Sequence, residues 1–151
     1  MNTKEIKSEF QFVGNSICSL DLHNDFISIP DGDLSKEFDV SYDIESINED
    51  ETDIWGTINL YVDCVIKPNN ETDTDELPEF NLKLVLNGCF KDVKGINKED
   101  FIKLLSINGC AALYSVARSI IIGISAQSVV SGSIILPMIN VFKLNEKSTE
   151  K

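Results

Sequence analysis

A chain of 151 residues, 42% of them apolar and with a net charge of −12, is long enough for one domain with its own core, and that charge argues against nucleic acid as a ligand, because a negative field repels phosphate backbones. The four cysteines, Cys18, Cys64, Cys89 and Cys110, show no CxxC spacing, and His23 is the only histidine, which excludes the usual zinc-ligand sets. The first ten residues, MNTKEIKSEF, hold no apolar stretch of the signal-peptide kind, so the expected setting is a reducing cytoplasm with four free, mostly buried thiols.

The charge is unevenly spread. Residues 1–79 carry 20 acids and 4 bases, a net of −16, and residues 80–151 carry 5 acids and 9 bases, a net of +4. The acidic half suits a cationic partner surface, and solubility alone explains it equally well.

The chain opens with a long strand, Phe10 and Phe12 followed by Cys18, Leu20 and Leu22, with a bulge expected at Val13-Gly14. Pro30-Asp31-Gly32 marks a turn. Phe38, Val40, Tyr42 and Ile44 then alternate with Asp39, Ser41, Asp43 and Glu45, the period of a half-buried strand. After the acidic turn Asn48–Asp53, a third strand puts Ile54, Ile58, Leu60, Val62, Cys64 and Ile66 on one parity and Trp55, Asn59, Tyr61 and Asp63 on the other. A long loop, Lys67–Glu79, leads to a fourth strand in which Phe80, Leu82, Leu84, Leu86 and Phe90 alternate with Asn81, Lys83, Asn87 and Lys91. None of these connections can hold a crossover helix. The strands therefore form an antiparallel sheet with one apolar and one polar face.

At Asn97 the period changes to that of a helix. Asn97 caps it, Glu99 and Asp100 occupy its first turn, and Phe101, Ile102, Leu104 and Leu105 form its apolar side. Asn108-Gly109 is expected to break it. A second helix follows from about Cys110 to Val129; Ala111, Ala112, Leu113 and Ala117 favour it, although Ile120, Ile121, Ile122 and Ile124 also suit a strand. Arg118 is the only charge between Asn108 and Asn140. The segment is long enough to span a membrane, but Arg118 sits in its middle among several serines and no basic flank follows, which argues against insertion. A helix apolar nearly all round must be covered on several sides, and one sheet face covers only one, so a second subunit is expected on the rest. Ile134–Phe142, interrupted by Pro137, follows Ser131-Gly132-Ser133. Residues 1–7 and 144–151 are expected to be flexible tails of a single domain.

Leu113-Tyr114-Ser115-Val116-Ala117-Arg118-Ser119 resembles the Leu-Phe-Pro-Tyr-Ala-Arg-Glu stretch of the protein-export chaperone SecB. Asn87-Gly88-Cys89-Phe90 with Lys94-Gly95-Ile96 looks like that family's last strand and the loop after it, and Leu136-Pro137 through Asn140 is similar to its Leu-Ala-Pro-Val-Asn segment. The resemblance runs over roughly residues 80–142; before that only the pattern agrees. It implies an α+β fold, a four-stranded antiparallel sheet followed by a short and a long helix on one face. It implies a dimer or a dimer of dimers assembled through the helices. It also implies an ATP-independent holdase, without cofactor, that keeps unfolded or pre-secretory polypeptides in apolar grooves and delivers them to the motor SecA. Some relatives serve antitoxins alone. Ser115 and Val116 depart from the family's proline and tyrosine, the segment after Asn140 is short and polar, and Lys83 stands where the family has a sheet acid used to dock SecA.

Holding unfolded chains needs exposed apolar surface. The candidates for client contact are Trp55 and Tyr61, on the polar parity of their strand, with Phe101, Leu105, Ile107, Ile139 and Phe142. Core or cross-strand packing is the competing explanation for the first four. Asp21, Asp25, Asp39, Asp43, Glu45 and Asp63 would share the outer sheet face as a docking patch for a basic partner, or as a solvated surface. Leu113, Arg118, Ile121 and Ile124 are the candidate oligomer contacts, with Arg118 pairing across subunits or hydrogen-bonded to carbonyls. Enzymatic chemistry lacks its parts: one histidine, no phosphate-cradling glycine loop, no Cys/His pair. An acidic adaptor or decoy would account for the charge but not for the apolar helix.

Overall fold

Alternating side chains become four long strands in the computed structural model, which describes residues 7–25, 27, 34–69, 78–129 and 132–149. These are β1 (Gln11–Asn24), β2 (Leu34–Glu49), β3 (Asp53–Pro68) and β4 (Phe80–Val93), all antiparallel, in the order β1-β4-β3-β2. Register follows the pattern. Phe38 pairs with Cys64, Val40 with Val62, Tyr42 with Leu60 and Ile44 with Ile58, so the apolar rows of β2 and β3 share one face. A slip of one residue would send both rows to solvent. The bulge expected at Val13-Gly14 is present, and a second one lies between Ile17 and Ser19. The expected turn at Pro30-Asp31-Gly32 and residues 70–77 of the Lys67–Glu79 loop lie outside the described residues.

Across the apolar face runs one continuous helix, Lys98–Ser128. It comprises α1 (Lys98–Leu104), a π turn (Leu105–Gly109) and α2 (Cys110–Ser128). Asn97 caps it as expected, its Oδ1 accepting from the Glu99 N–H at 2.8 Å. The expected break at Asn108-Gly109 does not occur. Buried positions run Phe101, Leu105, then Cys110, Leu113, Ala117 and Ile121. The five-residue step between Leu105 and Cys110 is one longer than an α turn provides, and the π turn absorbs the extra residue so that the apolar side stays on the sheet. Two strand glycines make room for it. A Cβ at Gly56 would lie 2.4 Å from Leu105 Cδ1, and one at Gly88 would lie 3.0 Å from Leu113 Cδ1. These notches let two leucines seat against the backbone of the sheet.

The helix could cross a membrane by length and composition alone, but its inner side packs on the chain's own sheet. Its outer side presents Ser115, Ser119, Ile122, Gly123 and Ala126 to solvent. The sheet is also wider than the helix layer. On β1 the inward row Phe12, Ile17, Leu20 and Leu22 is 40%, 48%, 42% and 38% exposed. Phe12 stacks on buried Phe90 at 4.9 Å, as Phe10 does at 5.5 Å.

The tail expected to be loose beyond residue 144 is instead a helix, α3 (Val141–Thr149). Asn140 starts it: its carbonyl accepts from Leu144 N–H at 3.1 Å and its Oδ1 from Lys143 N–H at 3.2 Å. Val141 and Leu144 pack against the core, and Tyr42 Oη bonds to Asn145 Oδ1. This tertiary packing overrides a composition that reads as polar. The cysteines are all free. Burial pushes the Cys64 and Cys110 thiols up to about 12, whereas Cys89 is half-buried and Cys18 exposed.

Candidate binding groove

α2 positions the chain that follows it through three polar contacts on one flank. The Ser125 hydroxyl accepts from Ile134 N–H at 2.7 Å. Arg118 Nε donates to the Leu136 carbonyl at 3.1 Å, and Tyr114 Oη donates to the Pro137 carbonyl at 2.6 Å. Residues 134–137 therefore run back along α2 and deliver Ile139 and α3 to the inner face of β2. Arg118 thus takes the carbonyl-bonded role, with a further contact to Met138 Sδ at 3.2 Å. Tyr114 and Arg118 belong to one SecB-like stretch and Leu136-Pro137 to the other, so the two stretches are held together in space.

Between β2 and α3 lies a pocket of about 350 Å³, walled by Phe38, Val40, Tyr114, Pro137, Ile139 and Leu144, with Asp39, Asn140, Lys143 and Lys147 at its margin. A second pocket of about 430 Å³ shares Asp39, Val40, Leu144 and Lys147 with it and extends past Ser41, Tyr42 and Asp43 to Tyr61. Together they form a trough along an edge strand. Its floor is apolar and its margin charged, an arrangement suited to a peptide with large apolar side chains. Among the described residues, no three His, Cys, Asp or Glu side chains converge on a metal site.

Of the seven candidate client contacts, only Ile139 lines the first pocket and only Tyr61 the second. Phe142, which lines neither of these pockets, is 63% exposed. Phe101 and Leu105 are corrected: both are wholly buried beneath Gly56, in the single-chain core, where no client reaches them. Ile107 sits half-buried on the π turn. Trp55 lies on the outer face with its ring already engaged; its Nε1 donates to Asp50 at 2.8 Å and Lys91 Nζ stands 5.2 Å above it. Two of the four oligomer candidates are corrected in the same way. Leu113 and Ile121 are wholly buried against the chain's own sheet, Arg118 is engaged as above, and Ile124 is half-buried. Phe38, Val40, Tyr114 and Leu144 were missed, because alternation marks β2 as half-buried without revealing that it is an edge strand.

The outer face carries the acids. Asp39, Asp63, Lys83 and Asp21 stand in one row across the four strands. Asp43 accepts from Asn59 at 3.1 Å and Tyr61 Oη at 2.9 Å, and Glu45 accepts from Asn87 at 2.8 Å. The Asp43 carboxylate keeps the Tyr61 hydroxyl protonated, raising its pKa. Asp25 lies at the end of β1, where the Glu79 N–H, and then His23, hold its carboxyl below the usual range.

Asp50 closes the β2–β3 hairpin. Its carboxylate accepts from the Asp53 and Thr52 N–H groups at 2.7 and 2.8 Å and from the Trp55 indole, which lowers its pKa from 3.8 to about 2. A lowered carboxylate pKa stabilises the fold fully above the unfolded value near 3.8, and that contribution is lost as pH falls through about 2. Trp55 is the only tryptophan. Its emission should therefore shift on acidification with a midpoint below 3.8, and Asp50→Asn should abolish the step. A midpoint at or above 3.8 would dissociate Asp50 from the indole.

No family model matches the chain, and no curated protein matches it in sequence. In structure it is similar to the SecB-like chaperone of Mycobacterium tuberculosis, solved in complex with a peptide from an antitoxin, with a TM-score of 0.60 and 10% identity over 87% of this chain and 91% of that one. A protein of unknown function from Streptococcus agalactiae has a TM-score of 0.43 and 10% identity over 85% of this chain and 97% of that one. The fold is SecB-like α+β: a four-stranded antiparallel sheet followed by a long helix and a short one.

Proposed function

We propose that this protein is a non-enzymatic chaperone that holds unfolded polypeptides, without ATP, in the trough between β2 and α3. The observation that carries the reading is the open apolar pocket around Ile139 and Leu144 on an edge strand. Burying one client side chain there gains about 1.5–3 kcal/mol. Micromolar holding needs about 8 kcal/mol after association costs, so several anchors must act together. Self-association supplies them by repeating the trough on one particle. The apolar row of β1 and the outer side of α2 are the surfaces we assign to it. A fold neighbour that carries an antitoxin peptide favours one dedicated client over a broad range of pre-secretory chains. Were the client passed to SecA in the cytoplasm, Asp39, Asp63 and Asp21 on the outer face would be the docking acids, with Lys83 weakening the patch.

The test is a holdase assay with a slow-folding, aggregating substrate. A stoichiometric amount of the parent should delay aggregation, and Ile139→Asp, which puts a charge on the pocket wall, should weaken client affinity about tenfold or more. A parent that does not delay aggregation would end this reading.

A further inference from the structure

Two lysines flank the trough. Lys143 and Lys147 lie four residues apart on α3 and both line the pocket beside Ile139 and Leu144. Among the described residues, neither forms an ion pair or a side-chain hydrogen bond. The whole chain is strongly acidic, with a net charge of −12, yet among the described residues the charged groups lining this pocket are two ammonium groups and the carboxylate of Asp39. On an extended chain, residues two apart lie about 6.6 Å apart on the same face, so a side chain anchored beside Ile139 and Leu144 presents its second neighbour to the margin that carries the two lysines. β2 is an edge strand, so an extended segment can lie alongside it.

From this juxtaposition we propose that the groove selects extended segments in which a large apolar residue is followed two positions later by aspartate or glutamate, the apolar side chain entering the pocket and the carboxylate meeting Lys143 or Lys147. The inference rests on the client-holding function proposed above. The overall negative charge opposes it at long range, but that field is screened beyond about 10 Å at moderate salt, whereas contacts within the groove are screened less.

The test is fluorescence anisotropy of the full chain with three labelled peptides of one extended sequence, each with leucine at the anchor and with aspartate, asparagine or lysine two residues on. The aspartate peptide should bind about three- to tenfold more tightly than the lysine peptide at low salt. The gap should close in Lys143→Gln/Lys147→Gln and shrink as salt rises. Equal binding of all three, or tighter binding of the lysine peptide, would overturn the charge preference and leave the holding role intact. Binding of none would overturn both.

Discussion

Phe101→Ala should cost about 3–5 kcal/mol of stability, as deletion of a wholly buried phenylalanine does, while Phe142→Ala should change stability by no more than about 0.5 kcal/mol and instead weaken the hold on client. In the amino-acid sequence both phenylalanines are candidate anchors, with core packing as the competing explanation for Phe101 alone. In the folded chain Phe101 has no exposed surface; its ring lies under Gly56 and edge-on to Phe10 at 6.1 Å. Phe142 is 63% exposed on α3, one residue before Lys143 of the groove margin. Urea denaturation separates them: Phe101→Ala should lower the midpoint with little change in slope, and Phe142→Ala should superimpose on the parent. A Phe101→Ala protein of parental stability would mean that the helix does not pack on the sheet as described.

Leu20→Asp with Leu22→Asp should convert an associated protein into a species of 16.8 kDa. Phe12, Ile17, Leu20 and Leu22 are each 38–48% exposed on the face of the sheet that is otherwise covered. Burying the open part of each gains about 1 kcal/mol, so eight such side chains across a pair of chains contribute about 8 kcal/mol. That only matches the 4–15 kcal/mol that association costs, so α2 must add its outer side, Ile122 included, and two carboxylates in the row would tip the balance. Sedimentation equilibrium reads the result, with Ser19→Asp, on the polar side of the same strand, as the control. A parent that sediments at 16.8 kDa at tens of micromolar would remove self-association from the proposal.

The period-two rows of β2, β3 and β4 and the cap at Asn97 were legible because each is set by neighbours close in the chain. The lateral order β1-β4-β3-β2 was not. No periodicity states which strand lies at an edge, yet this decides that Val40 faces a trough while Val62, its partner, is buried. Apolar character alone did not separate Phe101 and Leu105 from Ile139, because exposure is decided by what packs on top. The helix α3 escaped notice because nine residues with two lysines and a glutamate do not form a helix unaided; β2 provides the support. Tyr114 and Arg118 stood out as part of a familiar stretch. Their work, holding residues 136 and 137, became visible only once the chain had turned back.

The notches at Gly56 and Gly88 set the clearance between the two layers of the molecule. Everything suspended from α2 inherits that height, including residues 134–140 and the wall they build beside β2. The aperture of the trough is thus gauged by two positions that never meet its contents. A side chain at either one would press first on a leucine methyl of the helix, Leu105 above Gly56 and Leu113 above Gly88, and wherever that leucine has no room to turn aside the roof must rise and the opening change from a distance.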